Sequence, residues 1–428
     1  MRILLACEFY HPSVGGVQEV MGQIAERLVA HGHEVAVATT HLAERRSRLL
    51  KGVTIVEFKV AGNAVRGMTG NVGAYRQFVL RGDYDVFMVM AAQQWSFDAL
   101  LPVLDRIPKP KVFIPCGFSG LYEPAYREYF RGMPEALGSF DHLVFNASDY
   151  RDTNMARDHG LSCFSIVPNG ASEVEFGVPK DQSFRLRFGI EARAFVILMV
   201  GTFSGGLKGQ LELAAAFALA RFDGRPAVLI MSGRAIPRPR QGGALALPRA
   251  AVSYARRGAR RLRRFVRRMP APSGATREPL SALVARINLE TPAKRALTLD
   301  LPRAELIQAY LNSDLFVFAS HVEYSPLVLY EAAAAGLPFL TVTAGNAAEI
   351  ADWTGGGVVC PAPQDERGHT HVDPAVLAER ITELAANPAQ LAALGQAGRR
   401  AWAERFTWEK IVGKYEAIFA GLVDKAGS

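Results

Sequence analysis

The chain has 428 residues, 49% of them hydrophobic and 21% charged, which gives roughly two to three ordinary domains and excludes a disordered or fibrous protein. Its four cysteines, Cys7, Cys116, Cys163 and Cys360, have no metal-ligand spacing and no disulfide framework, as expected of a protein in a reducing cytoplasm. The net charge of +8 is unevenly spread: the segment 234–295 holds 16 Lys and Arg against two acids, +14, so the remainder of the chain sums to −6.

In chain order, the first half alternates apolar runs with helical patterns. RILLAC, too short and polar for a secretory leader, reads as a first strand. Gly15 and Gly16 lie before VQEVMGQIAERLVAHG, whose apolar residues recur at helical spacing up to Gly32. HEVAVATT, TIVEF, DVFMVMA, KVFIPC and HLVFNA follow as strands. The pattern restarts after the turn-rich IVPNGASEVEF, with FVILMVG, AVLIMSG, DLFVFAS, PFLTVTA and GVVCP as strands and LKGQLELAAAFALA, RAELIQAYLNS and PLVLYEAAAA as helices. Alternation of this kind predicts parallel sheets covered on both faces. The fold class is therefore α/β, with two doubly wound domains and a ligand cleft at the carboxyl ends of their strands. Residues 1–180 form the expected first domain, 181–405 the second, and 406–428 a last amphipathic helix returning to the first. No run is long and apolar enough to span a bilayer, so a soluble or peripheral protein is expected.

The stretch HVEYSPLVLYEAAAAGLP, residues 321–338, carries chemistry. Ser325 is the expected N-cap and Pro326 the first residue of a helix ending at Ala335, with Gly336 beyond it. The N–H groups of Leu327 and Val328 would point out of its start and, with the helix dipole, suit an anion. Glu323 precedes that start, and Glu331 leans back toward it because helical side chains point to the N-terminus. Two acids around an anion suit hydroxyl groups flanking a phosphate, the layout of a nucleotide sugar.

These residues also carry a resemblance. Glu323, seven residues and Glu331, followed by AAAAGLP, resemble the Glu-x7-Glu motif of the retaining nucleotide-sugar glycosyltransferases of GT-B architecture, the family 4-like enzymes. VGTFSGGLKGQ, residues 200–210, resembles that family's VGR…KG segment, with Lys208 at the lysine and Thr202 where the family has arginine. HPSVGGVQE, VPNGASEVEF and AGNAAEI match further family segments, through Gly15 and Gly16, Asn169 and Gly170, and Gly345 and Glu349. The resemblance implies two Rossmann-like domains facing across a cleft and transfer of a hexose from a nucleoside diphosphate sugar to a hydroxyl with the anomeric configuration retained. It implies Glu323 on the donor hexose, Glu331 on the ribose, Lys208 and the helix start from Ser325 to Val328 on the diphosphate, and Gly15 and Gly16 closing the phosphate site. Gly206 belongs to the same phosphate loop, and Arg234 after the next strand is the candidate replacement for the missing arginine. Cys116 and Gly117 stand where the family has a histidine, so no general base is named.

No cofactor or metal is implied. Asp83 and Asp85 spell a D-x-D pair but precede an apolar run and read as the start of a strand. The expected partners are the nucleotide-sugar donor, a glycan or lipid-linked sugar acceptor and, through AVSYARRGARRLRRFVRRM at 251–269, an anionic membrane at its inner face. That stretch holds eight arginines opposite an apolar stripe; a helix packed on its own domain with a solvated cationic face is the equal reading, and no nucleic-acid partner is expected. Two readings compete with a transferase: a non-catalytic, membrane-associated protein of the same fold, and a sugar-nucleotide epimerase.

Overall fold

The computed structural model of the chain describes residues 1–203, 206–234 and 279–427. The expected arginine-rich helix at 251–269 lies outside the described residues.

In the first lobe, β1 (Arg2–Ala6) leads into α1 (Gly16–Ala30), then β2 (Glu34–Thr40), β3 (Leu49–Leu50), β4 (Val53–Phe58), the hairpin β5 (Val60–Asn63) and β6 (Gly67–Gly70), and β7 (Val86–Met90), β8 (Lys111–Ile114), β9 (His142–Phe145) and β10 (Phe164–Ile166). Eight of these form one sheet in the order β10-β9-β8-β7-β1-β2-β4-β3, parallel throughout except for the β3–β4 pair. Its central strands are apolar on both faces because both are covered: β7, VFMVM, is buried at every position. The helix α1 buries Val20, Met21, Ile24, Ala25 and Leu28, one stripe at helical spacing, against one of those faces.

The second lobe contains β11 (Phe195–Val200), α2 (Gln210–Leu219), β12 (Ala227–Ser232), β13 (Lys294–Leu299), α3 (Arg303–Asn312), β14 (Leu315–Phe318), α4 (Leu327–Ala335), β15 (Phe339–Thr341) and β16 (Gly357–Val359). Its six strands run parallel in the order β13-β12-β11-β14-β15-β16. The order reverses between β11 and β14, so their carboxyl ends diverge and open a crevice there.

The chain crosses between lobes twice, and the two crossings are tied together. Ala171 N–H bonds the Phe406 carbonyl at 3.0 Å, and the Trp402 indole N–H bonds the Ala171 carbonyl at 3.0 Å. The final helix α5 (Trp408–Gly427) then packs on α1 of the first lobe. Its Glu416 accepts from His31 at 2.8 Å and His33 at 2.9 Å. Its buried Ile411, Val412, Tyr415 and Phe419 join an apolar cluster continuous from the α1 face of the first sheet to the core of the second. Among the described residues no helix is long and apolar enough to cross a membrane.

Candidate active site

The carboxyl ends of the two sheets face each other. The loop after β14, residues 319–326, meets the segments after β8 and β9. Asn146 N–H bonds the Tyr324 hydroxyl at 2.9 Å, the Tyr150 hydroxyl bonds the Glu323 carbonyl at 2.7 Å, and the Asn169 side-chain amide bonds the Ser325 carbonyl at 3.1 Å. Ser148 N–H reaches the Glu349 carboxylate at 2.9 Å.

Lys208 precedes α2, one residue before Gly209, and Glu323 follows β14, so both sit at the point where the strand order reverses. The Lys208 ammonium pairs with the Glu323 carboxylate, which also accepts from Ser320 Oγ at 3.3 Å. Their side chains keep 30% and 19% of their surface exposed, enough for a ligand to reach both. Gly209 makes this approach possible. Its φ is 72°, and a Cβ there would lie 1.9 Å from the Ala319 carbonyl oxygen. Gly206, also at positive φ, is open to solvent.

The helix after Glu323 starts one residue later than its composition suggests. Pro326 takes the N-cap with ψ of 113° and Leu327 is the first helical residue, while Ser325 lies outside the helix and makes no capping bond. The correction is physical: at ψ 113° Pro326 stays extended, so the turn begins after it. Gly336 ends the helix in the left-handed conformation, as expected. The N–H groups of Leu327 and Val328 have no intrahelical acceptor and face outward from its start.

Glu331 is 7% exposed. The Tyr310 hydroxyl donates to its Oε2 at 2.9 Å, and Arg303 lies 2.6 Å from Oε1. Arg303 also binds Glu175 at 2.9 and 2.6 Å, so one guanidinium joins Glu331 to the segment that leads out of the first lobe. Two oxygens of an ionised carboxylate have about four acceptor directions between them, and these bonds use part of that capacity. Glu323 and Glu331 thus have separate partners, one a lysine and a serine, the other an arginine and a tyrosine.

Gly15 is the N-cap of α1 and Gly16 its first residue, with open space where a Cβ would stand at Gly16. Arg234 is 69% exposed and lies 3.7 Å from Asp300, near the chain as it leaves β12. Thr202 is exposed. Asp83 and Asp85 both bind Arg2 at the amino ends of the strands, the edge away from the cleft, and the Arg2 main-chain N–H holds the Asp85 carboxyl below its ordinary range.

Several residues at the first lobe's cleft edge, Cys116 apart, were not singled out by sequence. Ala91, Gln93, Cys116 and Phe118, after β7 and β8, all have positive φ between 53° and 72°, a conformation that costs about 1–3 kcal/mol per non-glycine residue and collects at functional sites. Burial pushes the Cys116 thiol well above its ordinary value, which leaves it a protonated, weak hydrogen-bonding group. Glu8, half-buried after β1, is pushed up to about 7 by burial and by neighbouring Asp98. Asp152, fully buried behind Gly117, is pushed up to about 6 by burial. The signal available for these, apart from Asp152, which lies in a helix, was their placement just after apolar strands.

A fold of two facing Rossmann-like lobes, with lysine and glutamate at a switch point beside a free helix start, defines the GT-B glycosyltransferase class. Residues 181–401 match the family model described as "Glycosyl transferases group 1", and the chain belongs to that family and is a glycosyltransferase. Similar solved structures include sucrose-phosphate synthase from Thermosynechococcus elongatus, at TM-score 0.70 and 19% identity over 99% of each chain. HepE of Anabaena in complex with UDP-glucose gives TM-score 0.67 at 16% identity over 99% of this chain and 100% of that one. WaaG, a glycosyltransferase involved in lipopolysaccharide biosynthesis, gives 0.63 at 18% over 98% and 100%. No curated protein sequence matches the chain.

Proposed function

We propose that the protein transfers a hexose from a nucleoside diphosphate sugar to a hydroxyl acceptor with the anomeric configuration retained, in the synthesis of a cell-envelope glycan or glycolipid. The observation that carries this reading is the meeting of Lys208 and Glu323 at the crevice between β11 and β14, directly before the open start of α4. In this reading the diphosphate lies over the N–H groups of Leu327 and Val328, with Lys208 against its developing charge. Pro326 keeps the approach to that start free of a competing N–H, and Gly206 gives the backbone room beside the phosphates. Glu323 turns from Lys208 to the hexose hydroxyls, and Glu331, held by Arg303 and Tyr310, accepts from the ribose diol. Gly15 and Gly16 approach from the other lobe, and Arg234 adds long-range positive potential. Fixed dipoles and one cation carry the leaving-group charge, so the reading calls for no cofactor or metal. HepE bound to UDP-glucose supports a nucleotide-sugar donor here, and the arginine-rich stretch at 251–269 supports work at an anionic membrane surface on the cytoplasmic side.

Purified full-length protein should release nucleoside diphosphate from a UDP-, GDP- or ADP-hexose when a sugar acceptor is added, and Glu323→Gln should cut that turnover at least a hundredfold. Interconversion of the donor without transfer would instead establish the epimerase reading. Binding without any turnover across donors and acceptors would establish a non-catalytic partner protein.

A further inference from the structure

Tyr324 follows Glu323 directly, yet its side chain leaves the donor lobe and enters the other one. Its hydroxyl accepts from Asn146 N–H at 2.9 Å and lies close to the buried Asp152 carboxylate. Asp152 is itself fixed by Gly117 N–H at 2.8 Å and Thr153 N–H at 3.0 Å. The Tyr324 ring lies on Gly117, whose φ is 84°. A Cβ at that position would stand 2.5 and 2.7 Å from the Tyr324 ring carbons Cδ2 and Cγ, so only glycine leaves the space the ring occupies. Tyr150 closes the other side: its ring centroid is 5.3 Å from that of Tyr324, and its hydroxyl bonds the Glu323 carbonyl at 2.7 Å. The Tyr324 carbonyl accepts from Asn346 N–H at 2.8 Å, and the Asn346 side-chain amide bonds the Asn146 carbonyl at 2.9 Å.

Groups of the opposite lobe therefore hold this segment at two points, Tyr150 at the Glu323 carbonyl and Asn146 with Gly117 at the Tyr324 side chain. Glu323 can turn its carboxylate only from the backbone position that this grip sets. We propose that Tyr324 is a positioning residue, a cross-cleft bolt through Asp152 and Gly117 that seats Glu323 against the transferred sugar only when the two lobes are closed. The inference rests on the role of Glu323 proposed above and adds to it. The first lobe thereby controls the acid that, in this reading, holds the donor sugar. The same bolt also gives a physical role to the Cys116–Gly117 pair. A small residue at 117 admits the phenol, and the phenol supplies the cross-lobe polar contact that a protonated thiol, a weak hydrogen-bonding group, cannot.

The geometry separates two parts of the donor. The bolt acts on Glu323 and so on the sugar, whereas the nucleoside diphosphate rests on α4 and Glu331. The test is calorimetric titration of full-length wild type and Tyr324→Phe with UDP, GDP and ADP and with their glucose and mannose conjugates, using the nucleotide the wild type binds most tightly. Losing the hydroxyl that ties Tyr324 to the Asn146 N–H beside Asp152 should weaken binding of the nucleotide sugar about tenfold while leaving the nucleoside diphosphate within about twofold. Tyr150→Phe, which loses only the bond to the Glu323 carbonyl, should show the same asymmetry in smaller measure, and it serves as the test variant should Tyr324→Phe not fold. Equal losses for the sugar-bearing and sugar-free ligands, or no loss for either, would overturn the bolt while leaving the donor site standing. Absence of binding to wild type by every one of these ligands would overturn the donor site and the bolt with it.

Discussion

Glu331 gives the sharpest test of the nucleotide-binding reading. The perturbation is Glu331→Gln, which keeps the volume and removes the charge. In the structure the two carboxylate oxygens face Tyr310 at 2.9 Å and Arg303 at 2.6 Å, and the residue is 7% exposed, so a ribose diol reaching it would be bound by a well-desolvated charged acceptor. A hydrogen bond to a charged group is worth about 1.5–3 kcal/mol, and each 1.4 kcal/mol is tenfold in affinity. Loss of one such bond weakens the nucleoside diphosphate by about 10- to 100-fold. Arg303 keeps its bonds to Glu175, so the fold should survive, which a melting curve checks. The assay is calorimetric titration with a ribonucleoside diphosphate and with its 2′,3′-dideoxy analogue. Wild type should favour the ribonucleotide by the factor just given, and the glutamine variant should favour neither. A variant that still discriminates between the two as strongly as wild type would show that the diol is held elsewhere and would refute the argument.

Two further outcomes follow from local geometry. Gly209→Ala would press a Cβ onto the Ala319 carbonyl at 1.9 Å in a backbone with φ of 72°; a stability loss of about 2 kcal/mol or more in urea unfolding is expected, because neither the strand end nor the positive φ can yield cheaply. The hydrogen bond with Glu416 raises the His31 pKa, and Glu416 is lowered first by its bond with His33 and then by that with His31. The histidine contribution is fully present below its ordinary value near 6.5 and is lost as pH rises through the raised one, while the glutamate contribution is lost only in acid. Glu416→Gln should therefore lower Tm more at pH 6 than at pH 8.5, and equal shifts at the two pH values would exclude a charged latch.

Most of the strands legible in sequence are largely buried, because a continuous apolar run such as VFMVM admits few other readings, although β16 was legible while only half-buried. The strands not foreseen are edges or near-edges with mixed surroundings. In β13, KRALTL, only Ala296 is buried, and β10 is half-buried throughout. The β5–β6 hairpin is mostly exposed, so its residues carry little hydrophobic pattern. At the site, the spacing of Glu323 and Glu331 and the lysine before α2 were readable because each lies in a local strand-loop-helix unit. The pairing of Lys208 with Glu323 and of Glu331 with Arg303 was not, since nothing local shows which of several nearby charges a flexible side chain will choose in the absence of ligand. The contacts of Tyr324 with Asn146 and Asp152 join residues from opposite lobes, and no periodicity encodes such a meeting. The displacement of the helix start from Pro326 to Leu327 is a matter of one dihedral angle, below what composition resolves.

The return of α5 to the first lobe has a practical corollary for anyone who would dissect the enzyme. Severing the chain in the linker after Val167 would not yield two self-sufficient halves: the upstream piece would bare the flank of α1 that shelters beneath Ile411, Val412, Tyr415 and Phe419, and the downstream piece would carry those same oily side chains into water. A faithful first lobe would need its terminal helix grafted on by a short tether, whereas a stop codon placed just before Trp408 should yield aggregate in place of a trimmed enzyme.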